Sequence, residues 1–170
     1  TKPTNMKVGL FIPCYINAVY PGVGRASYEL LSRLGCEVDY PLGQTCCGQP
    51  AYTSGHEEEA RKVAQSQMAL FPEPWPVVVL SGSCGGMMHH HYARLFPESR
   101  EVEAFCERVF ELTEFLAQVC RVRWHGVGRA SIVMHTSCSA RREMQVHTTA
   151  RSLLGQLGGV TLHEQAYESE

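Results

Sequence analysis

Trp75-Pro-Val-Val-Val-Leu80 runs straight into Ser81-Gly82-Ser83-Cys84. An apolar run this short, without polar alternation, reads as a strand buried on both faces of a parallel sheet. Its C-terminal end carries a cysteine. The pattern recurs twice: Val8-Gly-Leu-Phe-Ile12 ends at Pro13-Cys14, and Ser131-Ile-Val-Met134 ends in His135-Thr136-Ser137-Cys138. Ligand sites of open α/β sheets lie beyond the carboxyl ends of the strands. Three cysteines at that rim therefore point to a site there.

Helical patterns alternate with these runs. Residues 25–34 place Leu30, Leu31 and Leu34 on one side and stop at Gly35, a common helix terminator. Residues 56–70 open with three glutamates, which suit the positive end of a helix. Residues 102–120 carry Val102, Phe105, Cys106, Val109, Leu112, Leu116, Val119 and Cys120 at helical spacing and predict one long amphipathic helix. Residues 142–157 predict another, stopping at Gly158-Gly159. Strand and helix in alternation predict an α/β fold with a mostly parallel sheet flanked by helices.

Between the first two strands lies Cys46-Cys47-Gly48, with 31 residues separating Cys14 from Cys46 and 36 separating Cys47 from Cys84. Neighbouring side chains of an extended strand point to opposite faces, so two adjacent cysteines share one centre only where the backbone bends. Glycine permits such a bend. Four thiols from three distant segments suit an iron–sulfur cluster, whose usual ligands are thiolates. They suit tetrahedral zinc equally well. Two other readings stand beside these: plain core packing, since a free thiol behaves as a small hydrophobe, and a strained disulfide at the vicinal pair.

An internal repeat is visible. Leu30-Leu-Ser-Arg-Leu-Gly-Cys-Glu-Val38 answers to Leu153-Leu-Gly-Gln-Leu-Gly-Gly-Val-Thr161 at an offset of 123, and Cys14 answers to Cys138 at 124. The same offsets carry Cys46 to position 169 or 170. The expectation is a first unit over 1–125 and a second, truncated unit over 126–170, with Cys138 belonging to a second site.

Composition narrows the function classes. A formal net charge of −2 gives no electrostatic ground for a nucleic-acid partner. No apolar run is long enough to predict a membrane span, and Thr1-Lys-Pro-Thr-Asn-Met-Lys7 lacks a signal peptide's apolar stretch. Eight cysteines without an export signal predict metal or redox work in a cytoplasmic protein rather than a disulfide scaffold.

Cys14, Cys46-Cys47-Gly48 and Cys84 resemble the cysteine-rich CCG domain family, duplicated in the cysteine-rich subunit of heterodisulfide reductase, in glycolate oxidase iron–sulfur subunits and in lactate utilization proteins. Gln44-Thr-Cys-Cys-Gly-Gln-Pro-Ala-Tyr52, Glu111-Leu-Thr-Glu-Phe115 and Met134-His-Thr-Ser-Cys-Ser-Ala-Arg141 extend the likeness along the chain. The resemblance implies an iron–sulfur electron-transfer subunit, with a 4Fe-4S cluster held by Cys14, Cys46, Cys47 and Cys84. It implies a part in oxidising L-lactate to pyruvate beside sister subunits that include another iron–sulfur protein. A glycolate oxidase or heterodisulfide-reductase-like role is the alternative within the family, and a structural zinc scaffold is the alternative outside it. The chain departs from the reductase pattern at Gly85-Gly86-Met87, where Cys-x-x-Cys is usual, and at Ser139, where relatives often carry His.

The remaining motifs carry less. His89-His90-His91 reads as solvated surface, because helical metal pairs need i, i+4 spacing. His135, beside Cys138, is a candidate hydrogen-bond donor to a ligand. Gly22-Val-Gly24-Arg-Ala-Ser27 reads as a turn before a helix rather than a dinucleotide fingerprint. Cys36, Cys106 and Cys120 read as core. No paired carboxylates or nucleophile–base set appears.

Overall fold

The computed structural model describes residues 5–163. Strands β1 (Lys7–Phe11), β2 (Glu37–Asp39), β3 (Val77–Val79) and β4 (Val109–Glu111) form one parallel sheet in the order β2-β1-β3-β4. Val8 pairs with Val38, Leu10 with Val78, and Val78 with Phe110. The chain is therefore α/β with a parallel sheet flanked by helices, as its apolar runs predict.

Helices α1 (Cys14–Val19) and α2 (Pro21–Arg33) link β1 to β2, and α3 (Gln49–Thr53) and α4 (Glu57–Met68) lead to β3. After β3 come α5 (Gly82–Gly86), a π turn (Met87–His91), α6 (Tyr92–Leu95) and α7 (Arg100–Glu107). Beyond β4 lie α8 (Leu112–Glu114) and a second π turn (Phe115–Val119). A second, two-stranded parallel sheet pairs β5 (Val127–Val133) with β6 (Gly158–His163), and a third π turn (Ser139–Glu143) and α9 (His147–Gly155) run between them.

The period of two along each strand splits the core between the two faces of the sheet. Phe11, Val77 and Val79 pack with Phe71, Tyr92 and Phe105 on one face. Val8, Leu10, Val78 and Leu80 pack with Leu31, Phe115 and Leu116 on the other. Both inner strands are buried at these positions, which is why they read as unbroken apolar runs.

Three expectations need correcting. Residues 102–120 are not one helix: α7 ends at Glu107, and Val109–Glu111 joins β3 as a fourth strand. The Arg108 carbonyl accepts from the Val77 N–H at 2.8 Å, so ladder pairing ends a helical period that continues by coincidence on the far side of the strand. Residues 142–157 begin as the third π turn, break at Gln145 with φ 54°, and become helical only at His147. Gly22 and Gly24 lie inside α2 rather than in a turn, because Pro21 opens the helix and pre-sets its first φ. A Cβ on Gly24 would stand 2.8 Å from Ile12, so glycine lets α2 lie close on the end of β1.

β1-α2-β2 and β5-α9-β6 share one order. A β-α-β crossover is the unit of any parallel sheet, so order alone does not establish duplication. The counterpart of Cys46-Cys47 that the repeat predicts would lie just past Glu170, outside the described residues. Among the described residues no helix is long and apolar enough to cross a membrane.

Candidate metal centre

The sheet order β2-β1-β3-β4 makes the chain leave β1 on one side for β2 and return on the other to β3. The gap between the carboxyl ends of β1 and β3 is thus a topological switch point, where crevices form in open sheets. Cys14, the first residue of α1, follows β1 there, and Cys84, in the middle of α5, follows β3.

Cys46 and Cys47 reach the same rim on a loop clamped from two sides. The Gln44 side chain accepts from the Ile12 N–H at 2.9 Å and donates to the Leu10 carbonyl at 2.7 Å. One amide thus extends the edge of β1 as a strand would. Gln67, buried in α4, accepts from the Thr45 N–H at 3.0 Å and donates to the Thr45 hydroxyl at 2.9 Å. Gly48, at φ 90°, then turns the chain into α3. Tyr92, fully buried, donates its hydroxyl to the Cys47 carbonyl at 2.8 Å.

The four thiols meet as a chain of contacts. Cys46 lies against Cys14 and Cys47, and Cys84 lies against Cys47. Cys47 and Cys84 are 2% and 9% exposed, while Cys14 stands open to solvent. Contact with the Cys84 thiol, with the Gln49 N–H also pointing at the sulfur, pulls the Cys47 thiol below its ordinary range against burial. The same contact, with burial, pushes Cys84 up. Burial raises Cys46, although the Gly48 N–H lies 3.4 Å from its sulfur and favours the thiolate. Backbone N–H groups aimed at sulfur are a chief lever on cluster potential.

Among the described residues no group of three or more His, Cys, Asp or Glu side chains is set to hold a metal ion. A single tetrahedral ion holds its thiolates within about 4 Å of one another, given Zn–S bonds near 2.3 Å. A cluster is a larger body and its ligands stand further apart. The four thiols at the switch-point crevice, with amides on two of the sulfurs, supply the donor chemistry of the larger group.

Cys138 is exposed and precedes the third π turn. That turn packs on α5: a Cβ on Gly82 would collide with Ala140, and one on Gly86 with the Glu143 carboxylate. The Cys138 segment is therefore docked on the helix that carries Cys84. Cys138 makes no part of the thiol row described above, and His135 is exposed.

The triple histidine is not plain solvated surface. His89 Nδ1 lies 3.1 Å from the Val109 carbonyl, His90 Nε2 lies 3.1 Å from the Glu143 carbonyl, and His91 pairs with the Glu143 carboxylate at 2.9 Å. Only His90 of the three is exposed. A π turn supplies the reason, since its wider spacing lets consecutive side chains reach two neighbouring segments. Cys36, Cys106 and Cys120 are core, as expected. Cys36 lies just before β2, at the opposite end of the sheet from the thiol row, where it contacts Cys120.

Known proteins resemble this chain in sequence. The sequence profile of the cysteine-rich domain CCG matches residues 8–89, a span that includes all four thiols of the row and stops before Cys138. Lactate utilization protein A 2 of a Bacillus cereus strain is 37% identical over 167 residues, covering 95% of this chain and 69% of that protein. The chain belongs to the lactate utilization protein A family. Lactate utilization protein A of Geobacillus kaustophilus (strain HTA426) is 43% identical over 164 residues, covering 92% of this chain and 67% of that one. Lactate utilization protein A 2 of Bacillus anthracis (strain A0248) is 35% identical over 167 residues, covering 95% of this chain and 69% of that protein. Family membership thus rests on nearly the whole chain, not on the cysteines alone.

Sequence reasoning finds the cysteines but misses Gln44, Gln67 and Tyr92, which place them. Their partners lie 22 to 45 residues away, and nothing local in the sequence marks them.

Proposed function

We propose that Cys14, Cys46, Cys47 and Cys84 hold one iron–sulfur cluster, of the 4Fe-4S kind, in an electron-transfer subunit of an L-lactate-oxidising system. The observation that carries this reading is the thiol row Cys14–Cys46–Cys47–Cys84 at the switch point. Membership of the lactate utilization protein A family supports the substrate. Bound there, the group supplies one-electron transfer. The chain's own residues set its surroundings. Gly48 and Gln49 direct N–H groups at the Cys46 and Cys47 sulfurs. Tyr92 holds the Cys47 backbone, and Met87 and Met88, packed in the same core as Cys47 and Cys84, shut water from the inner side.

Cys138 belongs to a second site in this reading, in the unit that begins with β5, and the chain divides functionally at about residue 125. Its partners are sister subunits of the same system, including another iron–sulfur protein, in the cytoplasm. Exposed Tyr15, Val19 and Tyr20 adjoin Cys14 and give such a partner an apolar surface beside the outermost thiol.

The test is reduction by substrate. Protein purified without oxygen and mixed with its sister subunits is expected to lose visible absorbance when L-lactate is added, and to keep it with glycolate. Bleaching by glycolate but not L-lactate would move the assignment to the glycolate branch. A mixture that carries iron and sulfide yet bleaches with neither acid would overturn the substrate reading.

A further inference from the structure

A cavity of about 630 Å³ lies between α4 and α7, and none of the four thiols lines it. Its size falls among small-molecule sites, which run from about 300 to 1,000 Å³. Met68, Phe71, Phe96 and Phe105 supply an apolar, largely aromatic wall, Ala104 stands at its mouth, and Arg108 closes one side. The Arg108 guanidinium lies 4.8 Å from the centre of the Phe105 ring. It donates to the backbone carbonyls of Trp75 and Phe71, which fixes its plane. A guanidinium has five N–H donors, more than those two carbonyls use.

Aromatic side chains connect this cavity to the cysteines. The Tyr92 hydroxyl sits on the Cys47 carbonyl at 2.8 Å. Its ring stacks on Phe105, with centroids 6.1 Å apart and planes 21° from parallel. Tyr92 and Phe105 are both buried in the core, and Phe105 forms the cavity wall. Contact is continuous from the Cys47 backbone through two rings to the cavity.

We propose that this cavity binds a planar quinone, which receives electrons from the cysteine centre along Tyr92 and Phe105. The electron route rests on the cluster reading above; the binding site does not. A flat apolar ring with carbonyl oxygens matches aromatic walls and a fixed cation donor. A phosphorylated flavin matches worse, because Glu101 also lines the cavity and opposes a phosphate. The net step takes two electrons, one from the centre in each of two successive reductions, and two protons from solvent at the open mouth. Both quinone C=O bonds become C–O–H, and the centre is reoxidised.

Menadione is the probe and flavin mononucleotide the control, each titrated calorimetrically into metal-free and cluster-loaded protein. Ala104→Trp and Ala69→Trp fill the mouth from exposed positions, so circular dichroism and iron content should not change. The expected result is saturable menadione binding in both forms, weakened about tenfold or more by each tryptophan, which is about 1.4 kcal/mol. Tyr92→Phe, which keeps the ring outside the cavity lining but removes its bond to the Cys47 carbonyl, should keep menadione binding but slow the return of visible absorbance when menadione is added to dithionite-reduced protein. No saturable binding, equal binding by both tryptophan variants, or tighter binding of flavin mononucleotide would overturn the proposal. Because binding is read on metal-free protein, its failure is distinct from a failure to find iron and sulfide.

Discussion

The Cys84 thiol lies against the Cys47 sulfur, joining α5 to the loop that enters α3. This contact ties two of the three cysteine-bearing segments together across the gap between β1 and β3. Serine keeps a hydroxyl donor but is a poor iron ligand. Cys84→Ser and Cys47→Ser should each lose most of the bound iron, whereas Cys106→Ser and Cys36→Ser should retain it. Iron and acid-labile sulfide per folded chain check this.

Gly48 holds φ at 90°, and an added Cβ would meet the Ala60 carbonyl at 3.4 Å. Left-handed backbone costs a residue with a Cβ about 1–2 kcal/mol. Gly48→Ala is expected to destabilise by that amount in urea melts, and to loosen the N–H contact on Cys46.

Gln44 satisfies two backbone groups at the end of β1. A buried backbone group left unpaired costs about 1–3 kcal/mol. Gln44→Leu removes both bonds while keeping side-chain bulk, so a loss in that range or somewhat above is expected. The Cys46–Cys47 loop should then show faster amide hydrogen exchange, while β3 and β4 keep their protection.

Gly82 lies against Ala140 with no room for a side chain. Overpacking of this kind costs about 1–3 kcal/mol. Gly82→Leu is expected to undock the third π turn from α5 and to expose residues 134–146 to limited proteolysis. The four-stranded sheet should stay protected.

Glu111 is buried, and burial raises its pKa even though it accepts from Thr113 and the Glu114 N–H. A carboxyl whose folded pKa exceeds its unfolded value binds more protons when folded. Stability therefore falls as pH rises above the unfolded value near 4.3. Glu111→Gln removes this slope. Urea melts across that range should show the wild type losing stability relative to Glu111→Gln as pH increases.

The strands β1 and β3 are readable because burial on both faces leaves an unbroken apolar run. β4 is hidden: Val109-Phe-Glu111 is three residues long and flanked by short helices whose apolar positions share one period. Cysteine spacing marks Cys14, Cys46, Cys47 and Cys84 as candidate ligands, since ligand chemistry restricts residue type. It does not reveal what holds them. Gln44, Gln67 and Tyr92 act through partners far away in sequence, and the histidine contacts depend on a π turn that no local propensity marks. The close approach of α5 to Ser139–Glu143 likewise depends on glycines whose reason emerges only when both segments are placed.

Iron and acid-labile sulfide, determined on protein purified without oxygen, decide whether four thiols at the switch point share one cluster. Equal amounts of iron and sulfide, lost on substitution of Cys14, Cys46, Cys47 or Cys84 and kept on substitution of Cys138, are expected from this chain. Folded protein that carries zinc without sulfide, or that keeps its full iron when Cys47 is replaced, would contradict it.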